Sequence, residues 1–285
     1  MYKFNLFVLL RFFDWLINKY ILRRTEFKRK LRDVEMYLDL VTPGISKALA
    51  IFKSREDDMV QIIKEVLKPG MVVVDCGSNI GFYPLLESKI LNGKGAIYAI
   101  EPDSRNYRVL EKNKNIPSLQ SEIKTFNIAL SNNTGIQQMF VAERANLNKL
   151  VSSGGDSFPD RSPVNEIINV ETMTMDDFCT SQKITPDFVR MDIEGFEVEV
   201  FQGMKNIFKN AKSGFMVFLE LHPNAYTHER SFSHELEILM NQGFYAKVLV
   251  SAGEPVPSKM KKLGYKPKQL ISSDGVVRGY YDNVK

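Results

Sequence analysis

The chain has 285 residues, a hydrophobic fraction of 44% and a charged fraction of 25%, as expected for a globular protein of one large α/β domain or two small ones. Its net charge of +4 lacks the concentrated basic signature of a nucleic-acid-binding protein, so no nucleic-acid partner is expected. The two cysteines, Cys76 and Cys179, are too few for a disulfide framework or a zinc site and favour a reducing cytoplasm.

The first forty residues are predicted to form a helical, partly basic extension ahead of a main domain at residues 41–285. Residues 4–22 are mostly apolar, but interrupting charges argue against a spanning helix and a signal peptide. Arg11, Asp14 and Asn18 would form one narrow polar stripe on a helix. Two interpretations stay open: an interfacial helix that contacts anionic membrane together with the basic residues 23–32, or a helix packed on the domain or a partner subunit and followed by a solvated charged helix.

Predicted helices and strands alternate after this extension. Helices are predicted at residues 55–70, 82–91, 104–116, 175–182, 194–208 and 229–243. Strands are predicted at residues 71–77, 95–102, 123–130, 186–192, 214–222, 244–250 and 275–282. This alternation is typical of βαβ units with a parallel sheet. It fails between two further predicted strands, 135–143 and 166–174, which flank a polar loop from Asn146 to Asn165 that we expect to contact a substrate.

The sequence DCGSNIG, residues 75–81, follows the first buried strand and opens a helix. Asp75, Gly77, Asn79 and Gly81 fit D-x-G-x-G-x-G with Asn79 in place of the middle glycine, and Asn tolerates positive φ better than any residue except Gly. The turn is therefore predicted to be tight and to let a ligand approach the backbone. It lacks G-x-G-x-x-G and the Lys-Ser/Thr of a P-loop, which disfavours a dinucleotide or triphosphate cradle. A purely structural turn is the alternative.

Glu101 ends the second strand of the alternation. An acidic side chain at this place accepts hydrogen bonds from ribose hydroxyls, and open α/β sheets bind ligands at the carboxyl ends of their strands. Because Asp75 and Glu101 end adjacent strands, the pair predicts a ribose-bearing ligand. The alternative is that Glu-Pro serves only as a strand exit.

A second polar group follows later strands. Asp192 and Glu194, in PDFVRMDIEGFE, and Glu220 and His222, in FLELHP, are predicted at the carboxyl ends of neighbouring strands. Three carboxylates and a histidine on one rim suit either a divalent cation or an acid–base set. His222 is the best candidate for a general base, and a structural histidine before Pro223 is the alternative. The spacing of the three histidines does not fit a histidine-based metal site, so no metal ligands are assigned.

The segments VVVDCGSNIGFY, IEPD, NIALSNNTG, MTMDDF, PDFVRMDIEGFEVEVFQGM and ELHP occur in the order and spacing of the FkbM-type methyltransferases. Over residues 41–249 the chain resembles this family, which is similar to the wider class I S-adenosylmethionine-dependent enzymes. The D-x-E-G stretch and the D-x-G-x-N-x-G turn are specific in combination. The family usually has a small aliphatic residue at Cys76, Ala at Ser78 and Lys at Arg190, and these departures are mild.

The resemblance implies a class I methyltransferase (Rossmann-like) α/β fold: a seven-stranded, mostly parallel sheet with helices on both faces. It implies that the turn forms a wall against the methionine part of S-adenosylmethionine and that Asp75 meets its ammonium group, directly or through water. Glu101 would hold the ribose hydroxyls, and Ile128 and its neighbours would border the adenine. Asp192 would lie beside the sulfonium and the acceptor oxygen. The implied cofactor-binding residues are Asp75, Gly77, Ser78, Asn79, Gly81, Glu101, Asn127, Ala129 and Asp192.

The activity that the resemblance implies is O-methyl transfer to a hydroxyl of a sugar, glycolipid or secondary metabolite. Methyl transfer is an in-line displacement, in which alignment does much of the catalysis and a base removes the hydroxyl proton. His222 or Asp192 could be that catalytic base, and a bound Mg²⁺ could lower the hydroxyl pKa instead.

Two other interpretations were weighed against O-methyl transfer. One is a non-catalytic member of the fold that binds cofactor, membrane or a partner. The other is an NAD(P)-dependent oxidoreductase, against which the missing G-x-G-x-x-G argues. The expected location is the cytoplasm, with peripheral membrane contact through residues 1–32 as an option and the oligomeric state left open.

Overall fold

The computed structural model describes residues 6–42, 44–142, 148–151, 164–222, 225–250, 271–272 and 275–278. The helices are α1 (Leu6–Leu16), α2 (Ile45–Phe52), α3 (Asp57–Val66), α4 (Phe82–Leu91), α5 (Ser104–Asn113), α6 (Met175–Gln182), α7 (Glu197–Gln202), α8 (Lys205–Lys209) and α9 (Phe232–Asn241), with a π-helical turn at Ile17–Ile21. The strands are β1 (Glu26–Lys30), β2 (Glu35–Asp39), β3 (Val72–Cys76), β4 (Ala96–Ile100), β5 (Glu122–Phe126), β6 (Ala129–Leu130), β7 (Gly135–Ala142), β8 (Lys149–Leu150), β9 (Val164–Met173), β10 (Phe188–Met191), β11 (Met216–Leu219), β12 (Val248–Val250), β13 (Ile271–Ser272) and β14 (Gly275–Arg278).

The central sheet has five parallel strands in the order β11-β10-β3-β4-β5. Its middle strands are runs of apolar residues, as expected when helices cover both faces of a parallel sheet. Neighbouring side chains of a strand point to opposite faces, and accordingly Val73 and Val74 belong to two different core clusters. The α/β prediction with a parallel sheet and core on both faces is confirmed.

The predicted count of seven strands is wrong for the described part of the chain, where the parallel sheet has five. β7 and β9 instead pair antiparallel in a separate four-stranded sheet with β6 and β8, and β12 pairs with β14 in another sheet. The predicted strand at residues 123–130 breaks at Asn127, whose side-chain amide donates to the carbonyl oxygens of Glu101 at 2.8 Å and Pro102 at 3.0 Å. The chain then leaves the central sheet as β6, which pairs with β9.

Residues 23–32, predicted as a charged helix, contain a strand. β1 and β2 form an antiparallel hairpin that pairs Glu26 with Asp39 and Lys30 with Glu35. Phe27 and Leu31 are buried in the same core cluster as Val73 of the central sheet. The helical prediction for the first forty residues therefore holds only at the start, and residues on both sides of position 40 share one core.

α1 packs on α2, and its Trp15 is buried in the core. The polar stripe of this helix makes contacts with the protein: Arg11 Nη1 donates to the Ile51 carbonyl oxygen at 3.3 Å, and Asp14 forms an ion pair with Arg29. The helix thus rests on the domain, as one of its two interpretations predicted. No helix in the described ranges combines the length and apolar character needed to cross a bilayer.

Candidate active site

A cavity opens at the carboxyl ends of β3, β4 and β10, where the sequence predicted a binding site. Three polar segments meet there: the turn after β3, Glu101 after β4, and residues 192–194 after β10. Apolar side chains from α2, α4 and the second sheet complete the walls. The cavity is lined by Ile45, Arg55, Cys76, Gly77, Ser78, Asn79, Phe82, Tyr83, Ile100, Glu101, Pro102, Ala129, Leu130, Met139, Asn148, Leu150, Arg190, Asp192, Ile193, Glu194 and Phe196.

The turn at residues 75–81 has the backbone that its sequence predicted. Gly77, Asn79 and Gly81 have φ values of 77°, 52° and 96°, so Asn79 adopts the left-handed conformation at the place of a glycine. A Cβ atom on Gly77 would come within 2.0 Å of the Asp192 carbonyl oxygen. Only glycine therefore allows the turn to lie this close to the end of β10.

Asp75 does not line the cavity, although it opens the turn. Its carboxylate is fully buried and accepts hydrogen bonds from Ser78 Oγ at 3.0 Å and Arg190 Nη1 at 3.3 Å. Burial raises the pKa of Asp75, while the charge of Arg190 and the hydrogen bond from Ser78 lower it. The expected contact with an ammonium group stays a prediction, and the contacts of Asp75 in the structure are with protein groups that hold the turn.

Glu101 lines the cavity and is held by backbone groups. Its Oε2 accepts from the Asn79 amide at 2.7 Å and its Oε1 from the Asp103 amide at 2.9 Å. Oε1 also accepts from Asn106 Nδ2 at 3.5 Å, whereas Oε2 keeps a second lone pair that can accept a further hydrogen bond. Burial is the largest effect on this carboxyl, and it raises the pKa of Glu101 to about 8.

The other predicted binding residues divide into two groups. Gly77, Ser78, Asn79, Ala129 and Asp192 line the cavity with Glu101. Gly81, Ile128 and Asn127 are not part of the lining. The long loop from Asn146 to Asn165 lies mostly outside the described residues, but its Asn148 reaches the cavity wall.

The acidic rim, which we define as Asp192, Glu194, Glu220 and His222, lies at the ends of β10 and β11. Asp192 and Glu194 belong to the lining of the cavity, whereas Glu220 and His222 do not. One ligand atom from each of Asp192, Glu194 and His222 lies within 4.8 Å of the others, which is close enough to share a metal ion. Nε2 of His222 is 3.5 Å from Glu194 Oε2. The structure therefore brings together three of the four side chains that sequence reasoning grouped, and Glu220 directly follows the neighbouring strand β11.

Crowding of charges changes the pKa values on the rim. Burial raises the pKa of Glu194 to about 7, against the opposing charge of His222. Burial, and next the charge of Asp192, raise the pKa of Glu220 to about 7. Burial alone would lower the pKa of His222, but the hydrogen bond to Glu197 and the charges of Glu197 and Glu194 outweigh it and raise that pKa to about 9. The rim thus has groups that titrate near and above neutral pH, as acid–base sites do.

Two supporting residues were not singled out from the sequence. Glu197 is fully buried and its Oε1 lies 3.0 Å from His222 Nδ1, so it fixes the imidazole ring. Arg190 joins the two sides of the cavity, because its Nη1 contacts Asp75 at 3.3 Å and its Nη2 contacts Asp192 at 3.1 Å. The available signal was a charged residue inside the apolar strand FVRM, since buried charges in such strands are paired.

The family of the chain follows from comparison with known sequences. Residues 75–246 match the methyltransferase FkbM domain, which is more than half of the chain. The chain belongs to the FkbM methyltransferase family. This membership supports a methyltransferase activity with S-adenosylmethionine as the methyl donor.

A curated relative is the hexuronic acid methyltransferase AglP of Haloferax volcanii, which is 25% identical over 169 residues. The match covers 59% of this chain and 62% of the relative, so the chain spans less than two thirds of that protein.

Two solved structures resemble this FkbM methyltransferase weakly. A SAM-dependent methyltransferase from Aquifex aeolicus has a TM-score of 0.35 and 18% identity over 69% of this chain and 84% of its own. The precorrin 8W decarboxylase of Methanobacterium thermoautotrophicum has a TM-score of 0.38 and 16% identity over 73% of this chain and 78% of its own. TM-scores this low say nothing about activity.

The lining fits the methyl donor of this family. S-adenosylmethionine carries a ribose, an ammonium group and a sulfonium cation, but no phosphate. The cavity lining includes the buried carboxylate of Glu101, whose Oε2 has one donor among the described residues, and two further carboxylates, Asp192 and Glu194. These are hydrogen-bond acceptors and negative charges suited to hydroxyls and cations.

Proposed function

We propose that the protein is an S-adenosylmethionine-dependent O-methyltransferase that acts on a hydroxyl of a sugar. One observation carries the proposal: Asp192 and Glu194, which lie close enough to His222 to share a metal ion, line the same cavity as Glu101 and residues 77–79 of the turn. Such a cavity can hold a donor on one side and an acceptor hydroxyl on the other. Holding both in line is the main requirement of methyl transfer.

The turn side of the cavity would hold the donor. When bound, S-adenosylmethionine supplies an electrophilic methyl group on a sulfonium. Glu101 would accept hydrogen bonds from the ribose hydroxyls with its remaining lone pairs, because its other lone pairs already accept from the Asn79 and Asp103 amides. Gly77 and Ala129 would let the cofactor lie against the backbone. Asp192, in the lining of the cavity, would contribute negative charge where the cation lies.

His222 is the proposed general base. Its Nδ1 faces Glu197, which leaves Nε2 on the side of Glu194 and the rim. With Nδ1 held as the hydrogen-bond donor to Glu197, Nε2 is the atom that would take the hydroxyl proton. Tyr226 supports this arrangement, because its hydroxyl donates a hydrogen bond to Glu197 Oε2 at 2.8 Å. Asp192 would position the acceptor hydroxyl, and serves as the base if His222 does not.

A sugar is the favoured acceptor because carboxylates bind vicinal hydroxyls well. Each ionised carboxylate on the rim accepts hydrogen bonds from two directions and donates none, so it suits a polyol. The curated relative is named for a hexuronic acid, which makes a uronic-acid glycoside the natural first substrate to try. Glycolipids and hydroxylated secondary metabolites are the wider set. Arg55, also in the lining, is the cation that a uronate carboxylate would meet.

A divalent cation belongs to this proposal as a variant. Asp192, Glu194 and His222 offer two oxygens and one nitrogen, a donor set that Mg²⁺ or Mn²⁺ accepts. Bound there, a cation would lower the pKa of the acceptor hydroxyl and reduce the need for a base.

The test is transfer of tritiated methyl from S-adenosylmethionine to matched neutral and uronic-acid glycosides, each with Mg²⁺ and with EDTA. We expect methylated glycoside, and Asp192→Asn should lose it while the surface variant Asp58→Asn keeps it. Cofactor binding without turnover on any acceptor would favour a non-catalytic member of the family. Calorimetry that detects binding of NADH but not of S-adenosylmethionine would contradict the proposal. Activity abolished by EDTA and restored by Mg²⁺ would favour the cation variant.

A further inference from the structure

α1 exposes an apolar face although it is packed on the domain. Leu6, Phe7, Leu10 and Phe13 are at least 50% exposed, and the face continues through the π-helical turn. Its last residues, Tyr20, Ile21 and Leu22, are 62%, 72% and 51% exposed. Phe52 of α2, the helix beneath, is 58% exposed as well. Contiguous exposed apolar residues of this number mark an interaction surface.

The polar residues of α1 and of the π-helical turn that follows it are held by contacts with the protein. The polar stripe contacts the protein, through the Arg11 bond to Ile51 and the Asp14 pair with Arg29, while Asn18 is buried and accepts from Arg24 Nη1 at 2.9 Å. Those contacts fix which side faces outward. The helix thus buries Trp15 and exposes a second apolar face, with Phe7 and Phe13, that is available to an apolar environment.

Three cations, Lys19, Arg23 and Lys47, lie near this apolar face. The Lys19 ammonium lies 5.3 Å from the Trp15 ring centre and 5.7 Å from that of Tyr20, and the Lys47 ammonium lies 5.0 Å from Trp15. Arg23, at the end of the π-helical turn, is exposed. Among the described residues, no carboxylate lies within ion-pair distance of any of these three cations.

The charge of the chain is concentrated at the same end. Residues 1–32 contain nine lysines and arginines and two acidic residues, whereas the remaining residues contain 29 basic and 32 acidic ones. The positive net charge of the protein therefore comes entirely from the segment that includes α1. An apolar face with a cationic border matches the boundary of a bilayer that contains anionic lipids.

We propose that the exposed apolar face of α1 and the π-helical turn, from Leu6 to Leu22, docks this protein on an anionic membrane surface. α1 is an 11-residue helix, which suits lying in the interface and is too short to cross the membrane. A second copy of the chain is the rival occupant. Self-association through this face in a two-fold dimer would bring Lys19 and Lys47 of both copies to one interface, where like charges repel.

The first experiment measures co-sedimentation of the full chain with vesicles of phosphatidylcholine, with and without phosphatidylglycerol. We expect binding only to the anionic vesicles and its loss at high salt. Phe13→Ser with Ile17→Ser should weaken binding on the order of ten-fold or more, because it removes apolar area from the docked face. Ile136→Ser with Met240→Ser, at residues 75% and 64% exposed elsewhere, is the matched control and should bind normally.

The second experiment separates charge from apolar area. Lys19→Glu with Lys47→Glu should weaken binding more than ten-fold, since each cation near an anionic surface contributes about five-fold. Lys205→Glu with Lys212→Glu carries the same charge change and should bind much more strongly than the first pair. Point substitutions are preferred to deletion of residues 1–32, which would also remove the buried Trp15, Phe27 and Leu31.

Three results would overturn the proposal. The first is equal binding to neutral and anionic vesicles, and the second is equal loss in the test and control pairs. The third is a dimer, detected by light scattering without lipid, that Phe13→Ser with Ile17→Ser converts to monomer. None of these results depends on the methyl acceptor, so they leave the proposed activity untouched.

Discussion

The turn side and the acidic rim of the cavity are both built from acidic residues at strand ends, yet they differ in how those residues are satisfied. Both carboxylate oxygens of Glu101, on the turn side, accept hydrogen bonds from backbone amides. His222 and Glu194 on the rim are partly exposed and face other titratable groups. Backbone donors do not titrate, so the first arrangement suits binding. Clustered side chains exchange protons readily, so the second suits chemistry.

Arg190 connects the two sides. It is buried, its guanidinium lies 3.7 Å from the centre of the Tyr83 ring, and it contacts Asp75 beneath the turn and Asp192 on the rim. The contrast between a binding side and a chemical side therefore depends on one shared cation. The predictions below test that contrast, from the largest expected effect to the smallest.

The strongest test of the chemical side is His222→Asn. We expect kcat to fall about 100- to 10,000-fold, the usual contribution of a general base, while the cofactor dissociation constant changes less than two-fold. The measurement is the initial rate of methyl transfer at saturating cofactor, with calorimetry for binding. His234→Asn, at an exposed histidine of α9, is the control. Equal loss of binding and of rate would mean that the two sides are not separate.

Arg190→Ala should destabilise the fold, because it leaves Asp75 and Asp192 without their shared cation. We expect the free energy of unfolding to fall by about 3–5 kcal/mol in a denaturant titration. Arg190→Lys keeps the charge and should lose less. Arg32→Ala breaks an exposed ion pair with Asp57 and should cost about 0–1 kcal/mol. Similar losses for Arg190→Ala and Arg32→Ala would argue against the connecting role.

The pH profile tests His222 in another way. A base acts only when deprotonated, and the pKa of His222 is raised to about 9, so kcat/KM should increase with pH and level off above 9. The expected change between pH 7 and pH 9 is about fifty-fold, because the deprotonated fraction of His222 rises from about one hundredth to about one half. In His222→Asn this limb should vanish. A wild-type profile that is already flat from pH 7 would indicate a carboxylate of the rim as base, since the pKa of Glu194 is about 7.

Glu101→Ala probes the binding side. Loss of the hydrogen bonds between this carboxyl and the ribose hydroxyls should weaken cofactor binding about ten-fold or more by calorimetry. Glu122→Ala, at an exposed residue that begins β5, should bind as the wild type does. An unchanged dissociation constant in Glu101→Ala would contradict the assignment of this carboxylate to the donor.

Much of the framework was predictable because buried parallel strands leave a clear signal. The runs VVVDC, AIYAI and FVRM are apolar, and each is followed by the polar residue that reaches the cavity. The position of Glu101 and the grouping of Asp192 with Glu194 and His222 follow from strand ends meeting at one edge. Left-handed Asn79 followed from the conformational preference of that residue alone.

The errors came from partners distant in sequence. The sequence did not indicate that Arg190, 115 residues away, pairs with Asp75 beneath the turn. Residues 23–32 resemble a charged helix in composition, and composition does not reveal the strand β2 that pairs with β1. Phe27 and Leu31, which are both buried, are four residues apart, a spacing that fits a strand as well as a helix. The resemblance implied seven strands in one sheet, whereas the last two predicted strands correspond to β12 and β14, which pair with each other in a separate sheet.

The close approach at Gly77 has a consequence for protein engineering. At Gly77 the backbone of the turn lies directly against the end of β10, because any Cβ atom at this position would collide with the Asp192 carbonyl oxygen. We therefore expect most variants in a library at position 77 to misfold. Attempts to change the acceptor should keep residues 77 and 192 as they are and vary apolar lining residues away from this contact, such as Ile45, Met139 and Leu150.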